Sequence, residues 1–508
     1  MASASARFVR RIRVLTALFV CVAIIMIVRL YVLQVMRGST YAARADAQII
    51  QPENSLIDRG SIYFTDKNGT QIVAATFSED ATTTARTRFY PGGSLAAQEI
   101  GFVAYNNDNT QKGRYGLEKY YDETLARGND DLYTNFFVQL FNGARSVLSG
   151  NQQQGDIITT IEPSVQSELE RQLVLYNDIW HPKSSGGIII NPQNGEIYAM
   201  AVSPTFDINA FKAETDPLVY ANPMVQNIYE MGSIIKPLTM AAGIDSGAIT
   251  ENTTYDDAGS ITVDGKKISN FDGKARGVIP MVEILKQSLN VGASFVATQM
   301  GPDTMRDYFL NKYKFGTETG IDLPGEVHGM VSNLSSDRAV EFDTASFGQG
   351  IAITPIETAR ALCVLANGGY LITPHLVKAT AYTTGVTEQM SWSEHEQVLK
   401  PETATTVSRM LTTVVDVSLA YGKDKLDHYS VAAKTGTAQI VDPTTGSYYS
   451  DKYLHSFFGY FPSYNAKFLV FLFAVEPVGA PYASQTLAPP WHDLTQFLIN
   501  YYNVPPDR

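Results

Sequence analysis

The chain has 508 residues, enough for two or three domains with a large buried core. Hydrophobic residues make up 44% of it and charged residues 18%, ordinary values that exclude wholesale disorder. With 39 basic against 51 acidic side chains the net charge is -12, which disfavours nucleic acid as the main partner.

Four arginines, Arg7, Arg10, Arg11 and Arg13, precede the apolar run "VLTALFVCVAIIMIV", and after Arg29 "LYVLQV" resumes it. As a helix, 14–35 would span about 30 Å, the thickness of a bilayer core. The flanking arginines predict a cytoplasmic tail, 1–13, followed by one membrane-spanning helix, 14–35. A cleaved signal peptide is the competing reading, but its candidate site, "AARA" at 42–45, lies well past the apolar run. Arg29 would then snorkel to the outer interface or meet a partner's membrane helix.

From 41 to 156 the chain carries short alternating segments and many turn signals, including Asn68-Gly69 in "DRGSIYFTDKNGTQIVAAT", a hairpin signature. The stretch 129–155 fits no clear pattern and reads as a partly helical insertion. "GDIITTIEPSVQSELERQLVLYNDIW" then predicts a strand and an amphipathic helix, opening a compact domain over 157–505. In "GGIIINPQNGEIYAMAVSP", Asn194-Gly195 joins two strands. Three more strands follow much later in "YSVAAKTGTAQIV", "LHSFFGYFP" and "KFLVFLFAVEP", the last two joined across "SYNA". Five strands meeting mostly through hairpins predict an antiparallel sheet.

Between the two strand groups lie helical patterns at "PLTMAAGIDSG", "PMVEILKQSLNVGASFVATQMG", "PIETARALCVLANGG" and "PETATTVSRMLTTVVD", with a last one at "PPWHDLTQFLINYYN". The class is therefore α+β, with helices covering a five-stranded sheet. Cys363 falls in the third helical pattern and reads as a buried small hydrophobe, and with Cys21 in the first apolar segment no disulfide framework exists. Seven histidines follow no ligand spacing, so neither a metal nor another cofactor is expected.

Chemistry concentrates in three short motifs. In "YEMGSIIKPLTMAAG", Ser233 stands three residues before Lys236, and Pro237, tolerated only near a first turn, fixes the helix start there. The i, i+3 spacing puts amine and hydroxyl on one face at the positive end of the helix dipole. To act as a base near neutral pH, the lysine must fall roughly 3 units from ~10.4, about 4 kcal/mol, which burial and a second cation can supply. Lys434 in "AAKTGTA" is the candidate cation. Gly436 in the same strand predicts close approach of a substrate backbone, with Thr435, Thr437 and Lys434 holding its carboxylate. The third motif is "SLN", Ser288 to Asn290. Each motif alone is weak, whereas their order, the first opening a helix and the last on a strand, is a strong constellation.

The three motifs, together with "TGIDLPGE", "ASFGQGIAITPIETARALCVLANGGYLITPHLV" and "YGLEKYYDETLARG", resemble class B penicillin-binding proteins over most of the chain. The resemblance implies a penicillin-sensitive peptidoglycan D,D-transpeptidase of the bacterial cell envelope, with elongation (cell shape), division and sporulation all open as its setting. Ser233 would be acylated and Lys236 would be its base. Ser288 would relay protons, Lys434 would be the electrostatic partner of that relay, and Asn290 would hold the donor peptide. Thr435, Gly436 and Thr437 would bind the terminal carboxylate, and backbone N–H groups of Ser233 and Thr437 would form the oxyanion hole. It also implies a pedestal at 41–156, of the dimerisation type, and a SEDS-type glycan polymerase met through the pedestal and membrane helix. The catalytic domain would lie outside the cytoplasmic membrane.

Where the family often has "YEPGSTFK", this chain has "YEMGSIIK", a change expected to alter the pocket wall. The anchored two-domain layout argues against a β-lactamase or a β-lactam sensor, and the short pedestal against a second, glycan-polymerising activity. A D,D-carboxypeptidase and a scaffold that activates a polymerase stay open as alternatives.

Overall fold

The computed structural model describes residues 59–79, 86–105, 111–126, 154–392, 395–422 and 425–508, together with Phe19, Val20, Val22 and Met26. The expected membrane helix, its arginine-rich tail and the insertion expected over 129–155 lie outside the described residues, apart from Phe19, Val20, Val22 and Met26 and from 154–155, where Gly155 opens a strand instead. Among the described residues no helix is long and apolar enough to cross a membrane. The chain divides into two compact units, 1–56 and 57–508, and the architecture below is that of the second.

Along the chain, strands β1 (Ile62–Thr65), β2 (Gln71–Glu79), β3 (Arg86–Phe89) and β4 (Gly155–Thr159) lead into helix α1 (Pro163–Trp180) and the hairpin β5 (Ser184–Ile190) and β6 (Ile197–Ser203). Helix α2 (Lys236–Asp245) precedes four short strands, β7 (Thr254–Asp257), β8 (Ser260–Val263), β9 (Lys266–Ser269) and β10 (Gly277–Pro280). Then come α3 (Met281–Lys286), α4 (Asn290–Arg306) and α5 (Pro355–Ala366), followed by β11 (Val377–Tyr382) and β12 (Thr387–Gln389). The unit closes with α6 (Pro401–Thr413), the strands β13 (Ala432–Val441), β14 (Tyr448–Phe461) and β15 (Phe468–Val475), and α7 (Ala488–Tyr502).

The five strands expected from the sequence form a five-stranded sheet in the order β13-β14-β15-β5-β6, antiparallel at every pair. Both Asn-Gly turns connect neighbouring antiparallel strands, with Gly69 at φ 84° and Gly195 at φ 87° supplying the positive φ that such turns need. The central strand β15, "FLVFLFAV", is buried on both faces. Its alternate residues serve two cores: Leu469, Phe471 and Phe473 pack with α2, α4, α5 and α6, and Phe468, Val470 and Leu472 pack with α1 and α7. The result is a three-layer sandwich, because a sheet apolar on both faces has to be covered on both.

A second sheet was not legible in the sequence. It has six strands in the order β12-β11-β4-β1-β2-β3, antiparallel except for the parallel pair β1 and β4. Its members come from both ends of the predicted division, so backbone hydrogen bonds run across residue 156 and join 62–89 to 377–389.

One helical expectation changes in detail and another holds. "PMVEILKQSLNVGASFVATQMG" is two helices, α3 and α4, broken at Gln287–Leu289 because Ser288 adopts φ 56°, outside the helical region. Helix α5 starts at Pro355, as the pattern "PIETARALCVLANGG" predicts, and the structure adds a reciprocal capping box between Thr354 and Glu357. Cys363, on this fully buried helix, is 0% exposed, and burial pushes its thiol well up.

Candidate active site

Ser233 sits in a single 3-10 turn, Gly232–Ile235, which runs directly into α2. The Lys236 N–H closes that turn on the Ser233 carbonyl. In a 3-10 turn side chains at i and i+3 eclipse, so Ser233 and Lys236 share one edge more strictly than an α-helix would arrange. Pro237 lies in the first turn of α2, where its missing N–H costs nothing.

Lys236 is 1% exposed and its Nζ donates to Ser288 O at 2.6 Å, Asn290 Oδ1 at 2.8 Å and Ser288 Oγ at 3.2 Å. Lys434, equally buried on β13, donates from Nζ to Ser288 Oγ at 3.1 Å and to Thr435 O at 2.8 Å. The Ser288 hydroxyl therefore sits between two amines. Burial pushes Lys236 well below the ordinary lysine range, and the neighbouring Lys434 pushes it further. Lys434 is itself lowered by burial, to about 7. Among the described residues no carboxylate pairs directly with either amine, so each favours its neutral form.

The turn carrying Ser233 is held by close backbone packing. Gly232, at φ 66°, donates its N–H to Gly348 O at 3.1 Å in the "FGQG" loop. A Cβ on Gly348 would lie 2.3 Å from Gly232 O. On the opposite side, a Cβ on Gly436 would lie 2.3 Å from Ser456 Oγ and 2.8 Å from Met231 O. This adds a reason for Gly436 beyond the expected one: the protein's own turn presses on β13 there. Ser456 Oγ donates to Met231 O at 2.9 Å, tying the turn to β14.

Ile234 and Ile235 are 0% and 1% exposed, so they pack in the core and form no pocket wall, contrary to expectation. Ile234 lies under β13, 3.1 Å from the position a Cβ on Gly436 would take.

β13 is the edge of its sheet, paired only to β14 among the described residues. Thr435 and Thr437 on it are half-buried, and Thr437 Oγ1 accepts the Ala483 N–H at 3.1 Å. All eight residues singled out from the sequence thus fall in one cluster. Sequence reasoning missed Gly232, Gly348 and Glu230, whose carboxylate accepts the Gly350 N–H and the Tyr448 hydroxyl, both at 2.8 Å. The paired glycines of "YEMGS" and "FGQG" were the available signal, but only the fold shows that they touch.

Residues 186–491 match the family model of the penicillin-binding protein transpeptidase domain. Stage V sporulation protein D of Bacillus subtilis is 30% identical over 410 residues, 79% of this chain and 62% of that protein. Peptidoglycan D,D-transpeptidase FtsI of Buchnera aphidicola is 27% identical over 433 residues, 83% of this chain and 71% of that one. The chain spans less than two thirds of the length of the Bacillus relative. Among solved structures, apo penicillin-binding protein 3 from Mycobacterium tuberculosis is similar with a TM-score of 0.76 and 26% identity, over 89% of this chain and 98% of that one. The mycobacterial protein has also been solved in complex with aztreonam and with ampicillin.

Proposed function

Because the chain belongs to the penicillin-binding protein transpeptidase family, we propose that it is a penicillin-sensitive peptidoglycan D,D-transpeptidase working through a serine acyl-enzyme. The observation that carries this reading is a buried amine, Lys236, one 3-10 turn from a partly exposed serine and depressed by burial and by Lys434. A neutral amine has two N–H groups and one lone pair. Ser288 O and Asn290 Oδ1 accept the two N–H groups, so the lone pair faces the Ser288 hydroxyl at 3.2 Å and in the proposed reaction turns to take the Ser233 proton.

In the proposed reaction a donor stem peptide ending in D-Ala-D-Ala lies along the open edge of β13, where main-chain hydrogen bonds align it. Thr435, Gly436, Thr437 and the Lys434 charge hold its terminal carboxylate, and Asn290 faces the peptide. Ser233 Oγ attacks the carbonyl carbon of the D-Ala-D-Ala bond as Lys236 takes its proton. The developing oxyanion is met by backbone N–H groups of Ser233 and Thr437, each worth roughly 3 kcal/mol. Ser288, held between Lys236 and Lys434, passes a proton to the departing nitrogen, and D-alanine leaves. An amine of a neighbouring stem peptide then attacks the ester, its proton returns through the same relay, and Ser233 is freed. A β-lactam would acylate the same serine.

The arrangement along the chain follows the same reading. We place a cytoplasmic tail at 1–13, a membrane anchor at 14–35, a pedestal at 41–156 and the transpeptidase at 157–505 outside the cytoplasmic membrane, with a SEDS-type glycan polymerase as partner of anchor and pedestal. Ser233→Ala is the test. Fluorescent penicillin labelling and stem-peptide cross-linking are both expected to vanish while the melting curve is kept. A Ser233→Ala strain that grows with normal cross-linking would favour a scaffold role, and D-alanine release without transfer to an added amine would favour a carboxypeptidase.

A further inference from the structure

The four strands β7 to β10 form a tongue that carries a buried carboxylate the reaction does not use. Asp257 is 0% exposed and Asn270 3% exposed. Asn270 Nδ2 lies 3.0 Å from both Asp257 carboxylate oxygens, and Asn270 Oδ1 accepts the N–H of Val291 at 3.1 Å. The residue before it, Ser269, offers its carbonyl to Asn290 Nδ2 at 2.9 Å.

We propose that Asp257 and Asn270 are positioning residues that decide which end of the Asn290 amide faces Lys236. A carboxylate only accepts and a backbone N–H only donates, so Asn270, caught between them, has one allowed orientation. That pins the Ser269 carbonyl beside it and the Val291 peptide at the start of α4. Asn290 then has to give its Nδ2 to Ser269 O, and its Oδ1 is what remains for the Lys236 N–H. A turned Asn290 would aim an N–H at the amine instead, occupy the lone pair needed for the Ser233 proton and disfavour the ammonium form. Lys434 is the charged group acting on Lys236. Around Asp257, the Arg276 backbone N–H donates to its carbonyl at 2.9 Å, while the Arg276 guanidinium is engaged by Asp272.

This inference rests on the reading of Lys236 as base, and the full chain tests it through acylation by fluorescent penicillin across pH. Asn270→Ala is expected to slow acylation roughly 10- to 100-fold, as sub-ångström misplacement of a reacting group does. Its acid limb should move to lower pH, a change that simple loosening of the tongue would not produce. Asn270→Asp sets two carboxylates face to face and should also be slow, whereas the exchange Asp257→Asn with Asn270→Asp restores one donor and one acceptor and should recover most of the rate. An unmoved acid limb in Asn270→Ala, or an exchanged pair no faster than Asn270→Asp alone, overturns the proposal. Wild-type protein that takes no label at Ser233 would instead overturn the proposed function, so the two failures are distinguishable.

Discussion

At φ 56°, Ser288 occupies a conformation that costs a side chain about 1 to 2 kcal/mol, and its hydroxyl, caught between two lysine amines, shows what that strain secures. Ser288→Gly is therefore expected to keep or raise the melting temperature while acylation by penicillin collapses; a fall in both would deny the site its strain. Lys236→Ala should likewise abolish acylation in a protein that still melts cooperatively, and normal acylation would remove Lys236 as base. The two buried amines give pH a definite direction. A lysine whose folded pKa lies below its unfolded value makes the folded state bind fewer protons, so burial of Lys434 destabilises most below about pH 7. That penalty fades as pH rises from about 7 towards ~10.4, the unfolded value. Melting temperature should climb across this window more steeply in wild type than in Lys434→Met. If the relay needs Lys434 charged, acylation of the free enzyme should decline over the start of the same window, with the acid limb set by Lys236, which burial and Lys434 hold down.

Elements place these residues by pressing backbones together. The Ser233 turn lies between the "FGQG" loop and β13, and both contacts are made by glycines that leave no room for a methyl group. Gly436→Ala is expected to cost about 1 to 3 kcal/mol by overpacking. Its acylation should suffer more than that loss explains, since Met231 O and the Ser233 turn must give way. Adding Ser456→Ala should recover stability only in part, because Met231 O still stands 2.8 Å from the new Cβ. Thermal melts and labelling rates on the two variants check both statements. Much of this was legible beforehand: the five strands and both Asn-Gly turns follow from apolar alternation and turn chemistry, which are local. The break at Ser288 was not, because a serine in the left-handed region carries no sequence mark and is imposed by Lys236 and Lys434 from distant segments. The isoleucines at 234 and 235 misled for the same kind of reason, since neighbouring positions in a tight turn can point into the core while Ser233 alone stays partly exposed.

In the whole molecule, the six-stranded sheet binds the region before α1 to the chain that follows α5. Pairing between β4 and β11, 218 residues apart at Thr159 and Val377, cannot be read from either segment alone. We expect residues 57–508 to unfold in calorimetry as one cooperative transition; two separated transitions would show that the N-terminal strands and the transpeptidase fold independently. The account as a whole stands on Ser233 as the acylated group. Its most direct test is mass spectrometry of the penicillin-treated full chain, locating the adduct by peptide mapping. A single penicilloyl group on the peptide bearing Ser233 is the predicted result, and an adduct on any other residue, or none at all on folded protein, would contradict it.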